Sequence, residues 1–326
     1  MEGRNLSSNS HENEPHTEQP HIVICVPFKN YEGTLPITLK SISDNLSYDK
    51  KKITLVFYDD CSTDSSSQIL KEFITKNGSS YFDVLLRRGT EPTGGNVAKA
   101  INQCFELART TESKYIVNVE ADVEIPRDTL ELLVDFIERN ATVGMGSIPY
   151  VYVGGDQKTI EVDVTMGCTI ISRQLLDEID WRIDERFDRT NDLWLGAKAE
   201  RLGFEVVSVR HRTAKHLKPF NYTVHVWDRF LYLPRYHYLL LREGLMTRRL
   251  LRSYIYYGSY LLVFILSFIN TFSAIALGPL VIVGVWHYRS VRKFLYAFPV
   301  GLAMALGLII SVAKGCLAAI TRSAHF

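Results

Sequence analysis

The sequence predicts an α/β domain, built on a mainly parallel sheet flanked by helices, followed by C-terminal transmembrane helices. Three observations carry this. Four short, β-rich segments are apolar along their length and alternate with stretches of helical periodicity. Acidic residues gather where two of those segments end. The C-terminal part of the 326-residue chain is dominated by long apolar runs.

The four segments are "HIVICVPF" (21–28), "ITLVFYDD" (53–60), "YFDVLLRR" (81–88) and "YIVNVEAD" (115–122). Continuous apolar runs of this length suit parallel strands covered on both faces. Between them, Leu35, Leu39, Ile42 and Leu46 recur at helical spacing, as do Val97, Ile101, Phe105 and Ala108. Ser62 or Thr63 is placed to cap a helix carrying Ile69, Leu70 and Phe73, which Gly78 would end. Pro126 suits the first turn of a helix carrying Leu130, Leu133, Val134 and Ile137. The resulting order, β-α-β-α-β-α-β, implies a Rossmann-like sheet with right-handed crossovers. "VGMGSIPYVYV" and "GCTIISR" read as further strands beyond residue 140.

A formal net charge of +1 gives no reason to expect nucleic acid as a partner. The five cysteines are scattered without CxxC spacing, which argues against a zinc site or a disulfide framework and fits a reducing compartment. Residues 1–20 are polar and read as a disordered tail rather than a signal peptide.

From Tyr254 to Trp286, and again from Phe294 to Ile320, the chain is apolar over membrane lengths. At about 1.5 Å per residue the first run would extend some 50 Å as one helix, against roughly 30 Å of hydrocarbon. It reads as one tilted helix or two short ones. The basic stretches "RRLLR" (248–252) and "HYRSVRK" (287–293) both favour the cytoplasmic side, which two short crossings satisfy. The region 254–320 is therefore expected to hold about three spans, or two, with the preceding α/β domain facing the cytoplasm. Residues 223–253, with arginines among aromatics and leucines, read as amphipathic helices at the membrane interface. Arg229, Arg235 and Arg242 are candidates for holding an acceptor phosphate there.

In open parallel sheets, ligands bind beyond the carboxyl ends of the strands. Both acidic clusters lie there: Asp59-Asp60 and the alternating Glu120, Asp122 and Glu124. If the strand stays extended to Pro126, these last three share a face. Carboxylates so close would repel and take up protons unless a divalent cation, Mn²⁺ or Mg²⁺, joined them. Such an ion neutralises a departing diphosphate. Neither GxGxxG nor a P-loop follows the first strand, which weakens dehydrogenase and NTPase readings. His211 and His216 in "RHRTAKHLKP" offer a late metal or phosphate contact, or are plain surface residues.

Residues 21 to about 215, within a domain taken as 21–222, resemble the catalytic domain of glycosyltransferase family 2, the inverting GT-A-type sugar transferases. The resemblance rests on "VPFKNYEGTLPITLKSI", "YDDCSTDSS", "GGNVAKAIN", "EADVEIP" and "RTNDLWLGAKAERLGFEV", met in the family's order. It implies that Pro27, Asn30, Glu32, Asp59, Asp60, Gly95 and Glu120 bind a nucleotide-sugar, with Asp59 accepting from the base. It implies Asp122 as a metal ligand, Glu120 near the ribose or metal, and Glu124 where polyprenol-phosphate members have a further ligand. Asp192 would be the catalytic base, although a helix-capping carboxylate at that place would look the same. The sequence departs from the family at Glu120, Cys61 and Asn191, where Asp, Gly and Glu are usual.

The Q-x-x-R-W motif of processive synthases is absent, so a non-processive enzyme is expected. The membrane region points to a lipid-linked acceptor, a polyprenol phosphate or a lipid-linked glycan. Two alternatives stand beside this: a sugar-phosphate nucleotidyltransferase, and a catalytically degenerate membrane protein that keeps the fold to bind a partner.

Overall fold

The computed structural model describes residues 19–45, 47–153, 165–219 and 233–247, with scattered positions between 251 and 313. In chain order the elements are β1 (Ile22–Phe28), α1 (Leu35–Ser43), β2 (Ile53–Asp59), α2 (Ser66–Asn77), β3 (Asp83–Arg88), α3 (Val97–Arg109), β4 (Tyr115–Val119), β5 (Val123–Glu124), α4 (Thr129–Arg139), β6 (Val143–Ser147), β7 (Tyr150–Tyr152), β8 (Cys168–Ser172), α5 (Arg173–Glu178), α6 (Asn191–Arg201), β9 (Glu205–Ser208), β10 (Ala214–His216) and α7 (Leu233–Arg242).

Seven strands form the main sheet in the order β3-β2-β1-β4-β8-β6-β9, and β5-β10-β7 form a small second sheet. Strands β3, β2, β1 and β4 pair in parallel. Strand β8 runs antiparallel to both of its neighbours, β4 and β6, whereas β6 and β9 are again parallel. The sheet is thus mainly parallel, as expected. Strands β2 and β4 are buried at every position, which is why their sequences are apolar without alternation. One face packs on α1, α2 and α4 through Leu35, Leu39, Leu70, Leu130 and Leu133. The other packs on α3, α5 and α6 through Ile101, Phe105, Leu175 and Leu195.

Three local expectations are corrected. "YFDVLLRR" forms the sheet edge rather than a strand covered on both faces, and Leu86 is 45% exposed. Neither Ser62 nor Thr63 caps α2, which begins later, at Ser66. Ser62 instead accepts a hydrogen bond from the Asn30 amide. Pro126 lies upstream of α4, and its carbonyl accepts from the Thr129 amide at 3.2 Å to close the turn that leads into the helix.

Helix α7 packs Tyr236, His237 and Leu240 inward and leaves Arg235 and Arg242, seven residues apart on one face, exposed. Among the described residues no helix is long and apolar enough to cross a membrane. The expected spans within 254–320, the tail and Arg229 lie largely or wholly outside the described residues.

Candidate active site

The turn between β1 and α1 is hydrogen-bonded to both acidic segments. Asn30 takes a left-handed conformation (φ 56°), which asparagine tolerates better than most residues. Its side-chain oxygen accepts from the Thr63 amide at 2.8 Å, and the Tyr31 amide donates to Ser66 Oγ at 2.8 Å. Glu32 accepts from the Ser65 amide at 3.0 Å. On the other side, Thr34 and Thr38 donate their hydroxyls to the Ala121 carbonyl at 3.1 and 3.0 Å. The same short stretch therefore touches the residues after β2 and those after β4.

Asp59 spends both carboxylate oxygens inside its own turn. One accepts from the Ser62 amide at 2.7 Å and the other from the Ser67 hydroxyl, with Arg88 Nε 3.7 Å away. Asp60 accepts from the amide and hydroxyl of Thr93, at 2.7 and 2.8 Å, and faces Lys29 at 3.4 Å. Cys61 stands in the left-handed region (φ 59°), so the turn keeps a conformation that glycine would favour. Gly94 and Gly95 also have positive φ, at 73° and 82°, just before Asn96 caps α3. Pro27 is partly buried near the end of β1.

The carboxylates after β4 do not share a strand face. Beyond Val119 the chain turns, the Val123 amide donating to the Glu120 carbonyl at 3.1 Å. Glu124 then lies on β5 and pairs with Lys215 of β10 at 3.1 Å. It is not among the residues that converge. Those are Glu120, Asp122 and His216, whose ligand atoms lie within 4.8 Å of one another. Pairing of β10 with β5 and β7 brings in His216, which is set opposite Val123 and Tyr152. Rings of Tyr150 and Tyr152 pack on it, with centroids at 5.2 and 4.7 Å.

Electrostatics set this group apart. Burial, then the negative charges of Asp122 and Asp192, push the Glu120 carboxyl up to about 8, and Lys218 opposes them. Burial lowers His216 below its ordinary value despite the nearby Asp122, which favours the neutral imidazole. Two crowded carboxylates and a neutral imidazole form a donor set that fits a divalent ion.

Asp192 is the second residue of α6, two past the capping position at Thr190, and its charge is felt at Glu120 and Tyr150. The 183–188 segment before it is held from two sides. Asn102 of α3 clasps the Ile183 backbone, donating at 2.9 Å and accepting at 2.8 Å. Asn96 donates to the Glu185 carbonyl at 2.8 Å, and the Val97 amide to that of Asp188 at 3.2 Å.

Residues 23–192, just over half of the chain, match the model of "Glycosyl transferase family 2". The chain belongs to that family. No curated protein sequence matches it. Among solved structures, S. aureus TarS 1–349 is similar at 20% identity and a TM-score of 0.50, over 64% of each chain, so this chain spans less than two thirds of that one. The same TarS fragment solved with UDP-GlcNAc is similar at 18% identity and a TM-score of 0.50, over 64% of this chain and 65% of that one. The mannosyltransferase PcManGT from Pyrobaculum calidifontis, solved with GDP-Man and Mn²⁺, is similar at 16% identity and a TM-score of 0.59, over 91% of this chain and 87% of that one. The family match lends the nucleotidyltransferase alternative no support.

Two features of this family 2 site were weakly legible in the sequence. His216 was open to reading as a surface residue, because only its pairing with β5 and β7 carries it to the carboxylates. Lys218, whose ammonium lies 2.9 Å from Asp122, carried no motif.

Proposed function

We propose that the protein moves a sugar from a nucleotide-sugar donor to a lipid-linked acceptor at a membrane surface, with inversion at the anomeric carbon. The observation that carries this reading is the convergence of Glu120, Asp122 and His216 at the end of β4, with Asp192 near enough to perturb Glu120. The nucleotide sugars in the related structures, UDP-GlcNAc and GDP-Man, support the donor class.

Glu120, Asp122 and His216 would hold the divalent ion, which supplies positive charge against the diphosphate. The turn carrying Asn30 and Glu32, with Asp60 and Gly95, would frame the nucleotide. Asp192 would take the proton of an acceptor hydroxyl as its oxygen bonds to the anomeric carbon. The sugar–diphosphate bond breaks in the same step, its electron pair leaving with the nucleoside diphosphate. A phosphate acceptor is already ionised, and Asp192 would then serve without moving a proton.

The lipid acceptor and a multi-pass membrane location, with the catalytic domain on the cytoplasmic side, are supported by sequence and by exposure. Ile255, Leu262, Ile282 and Trp286 are 65%, 58%, 70% and 79% exposed, an arrangement that water disfavours and a bilayer accepts. Arg235 and Arg242 on the outer face of α7 suit an acceptor phosphate.

A thermal-shift panel of UDP-, GDP- and dTDP-sugars with Mn²⁺, run on the wild type and on Asp122→Ala, tests the reading. One donor class should stabilise the wild type only when metal is present, and should not stabilise Asp122→Ala. Indifference of the wild type to every donor would instead favour a degenerate, partner-binding protein.

A further inference from the structure

Beside the metal-ligating group stands a residue that interferes with two of its three members. The Lys218 ammonium is 2.9 Å from Asp122 Oδ2 and 4.1 Å above the centre of the Tyr31 ring. Asp122 is 3% exposed and His216 Nε2 lies 3.8 Å from the same oxygen, so the ammonium takes the cation's place at that carboxylate. The Lys218 backbone acts on the imidazole as well: its N–H donates to His216 Nδ1 at 3.3 Å.

The Lys218 backbone thus occupies one ring nitrogen of His216, while its ammonium occupies the Asp122 oxygen that lies nearest the other.

We propose that Lys218 is an internal cation that keeps the Glu120–Asp122–His216 site closed to metal until donor and metal enter together. This rests on the metal-dependent reading given above. The segment carrying Lys218 is tethered one residue earlier, where the Leu217 amide donates to the Asp122 carbonyl at 2.7 Å. A displaced ammonium therefore stays beside the site, where the donor's diphosphate offers a replacement for Asp122. Tyr31, whose ring the ammonium faces, lies on the β1–α1 turn that the proposed function gives to the nucleotide.

A ligand that binds only the open form loses affinity in proportion to the population of the closed one. Mn²⁺ titration by calorimetry, on donor-free full-length protein in detergent, compares wild type, Lys218→Met and Lys218→Arg. Lys218→Met keeps most of the apolar stem and removes the charge. It should bind Mn²⁺ about tenfold more tightly than wild type, as expected for a closed form that dominates by about ten to one. Lys218→Arg should stay near wild type. Nucleoside diphosphate should tighten Mn²⁺ binding to the wild type and do so much less in Lys218→Met. Equal or weaker Mn²⁺ binding by Lys218→Met overturns the inference while leaving the metal site intact. Absence of Mn²⁺ binding in all three proteins, with and without diphosphate, overturns the inference and the metal-dependent reading together.

Discussion

Tyr236 of α7 donates its phenolic hydrogen to the carboxylate of Asp188, four residues before Asp192. Its ring stacks at a tilt on Phe187, centroids 6.0 Å apart, and Arg186 pairs with Glu243 just past the helix. The helix nearest the expected membrane region is thus anchored to the segment that leads into the candidate base. Tyr236→Phe keeps the packing and removes one hydrogen bond to a charged, half-buried partner, which costs about 1.5 kcal/mol. Urea unfolding of the two proteins should show a lower midpoint with an unchanged slope. Activity of the folded variant should fall through kcat rather than through donor KM, because the contact bears on the base segment and not on the nucleotide turn.

Replacing Glu124 and replacing His216 should have opposite consequences. Glu124 is bound to Lys215 on the second sheet, and His216 sits with Glu120 and Asp122. Mn²⁺ affinity, read by calorimetry, should be unchanged in Glu124→Gln. In His216→Ala it should weaken by about tenfold or more, given that even outer-shell partners of metal ligands are worth 10- to 100-fold. Equal weakening in both would restore the strand-face arrangement of three carboxylates.

These contrasts show which parts of the fold could be read in advance. Strands β1, β2 and β4 announced themselves because a sheet covered on both faces demands unbroken apolar sequence, and Ile22, Val56 and Val117 are fully buried. The edge strand β3 resembled them only because Leu85 and Leu86 are apolar. Nothing local says that no neighbour covers it. Glu120, Asp122 and Glu124 misled for a related reason. Alternation puts side chains on one face only while the strand persists, and here a turn at Glu120–Val123 ends it. The third ligand candidate came from a pairing ninety-odd residues away in sequence, where β10 joins β5. Such pairings are set by the assembled fold and leave no periodic trace.

Glu120 makes the metal-free protein sensitive to pH. Its folded-state value is raised to about 8, by burial first and by Asp122 and Asp192 next, against an ordinary 4.5. Between those limits the folded state holds a proton that the unfolded chain has released, so stability falls as pH rises through the window. With EDTA present, the thermal midpoint should drop between pH 5 and pH 8, by about 2–4 °C for each kcal/mol lost. Glu120→Gln cannot ionise and should flatten that slope. A wild-type slope that Glu120→Gln leaves unchanged would show that Glu120 is ionised well below neutrality.

Asn102 offers the sharpest test of how the candidate base is held. Its side chain is buried, donating to the Ile183 carbonyl at 2.9 Å and accepting from the Ile183 amide at 2.8 Å. It therefore works as a two-pronged clasp between α3 and the chain that leads to α6. Asn102→Ala strips both partners from a buried backbone unit, and each orphaned group costs about 1–3 kcal/mol. The expected loss is about 3 kcal/mol, larger than for Tyr236→Phe, because water cannot reach Ile183 to compensate. Asn102→Asp supplies acceptors but no amide donor, and it adds a buried charge. It should therefore be at least as damaging as alanine. Denaturant midpoints for the two variants decide the matter. Near-wild-type stability in Asn102→Ala would mean that the 183–188 segment is secured without the clasp, by Asn96, Val97 and the contacts with Tyr236 and Glu243.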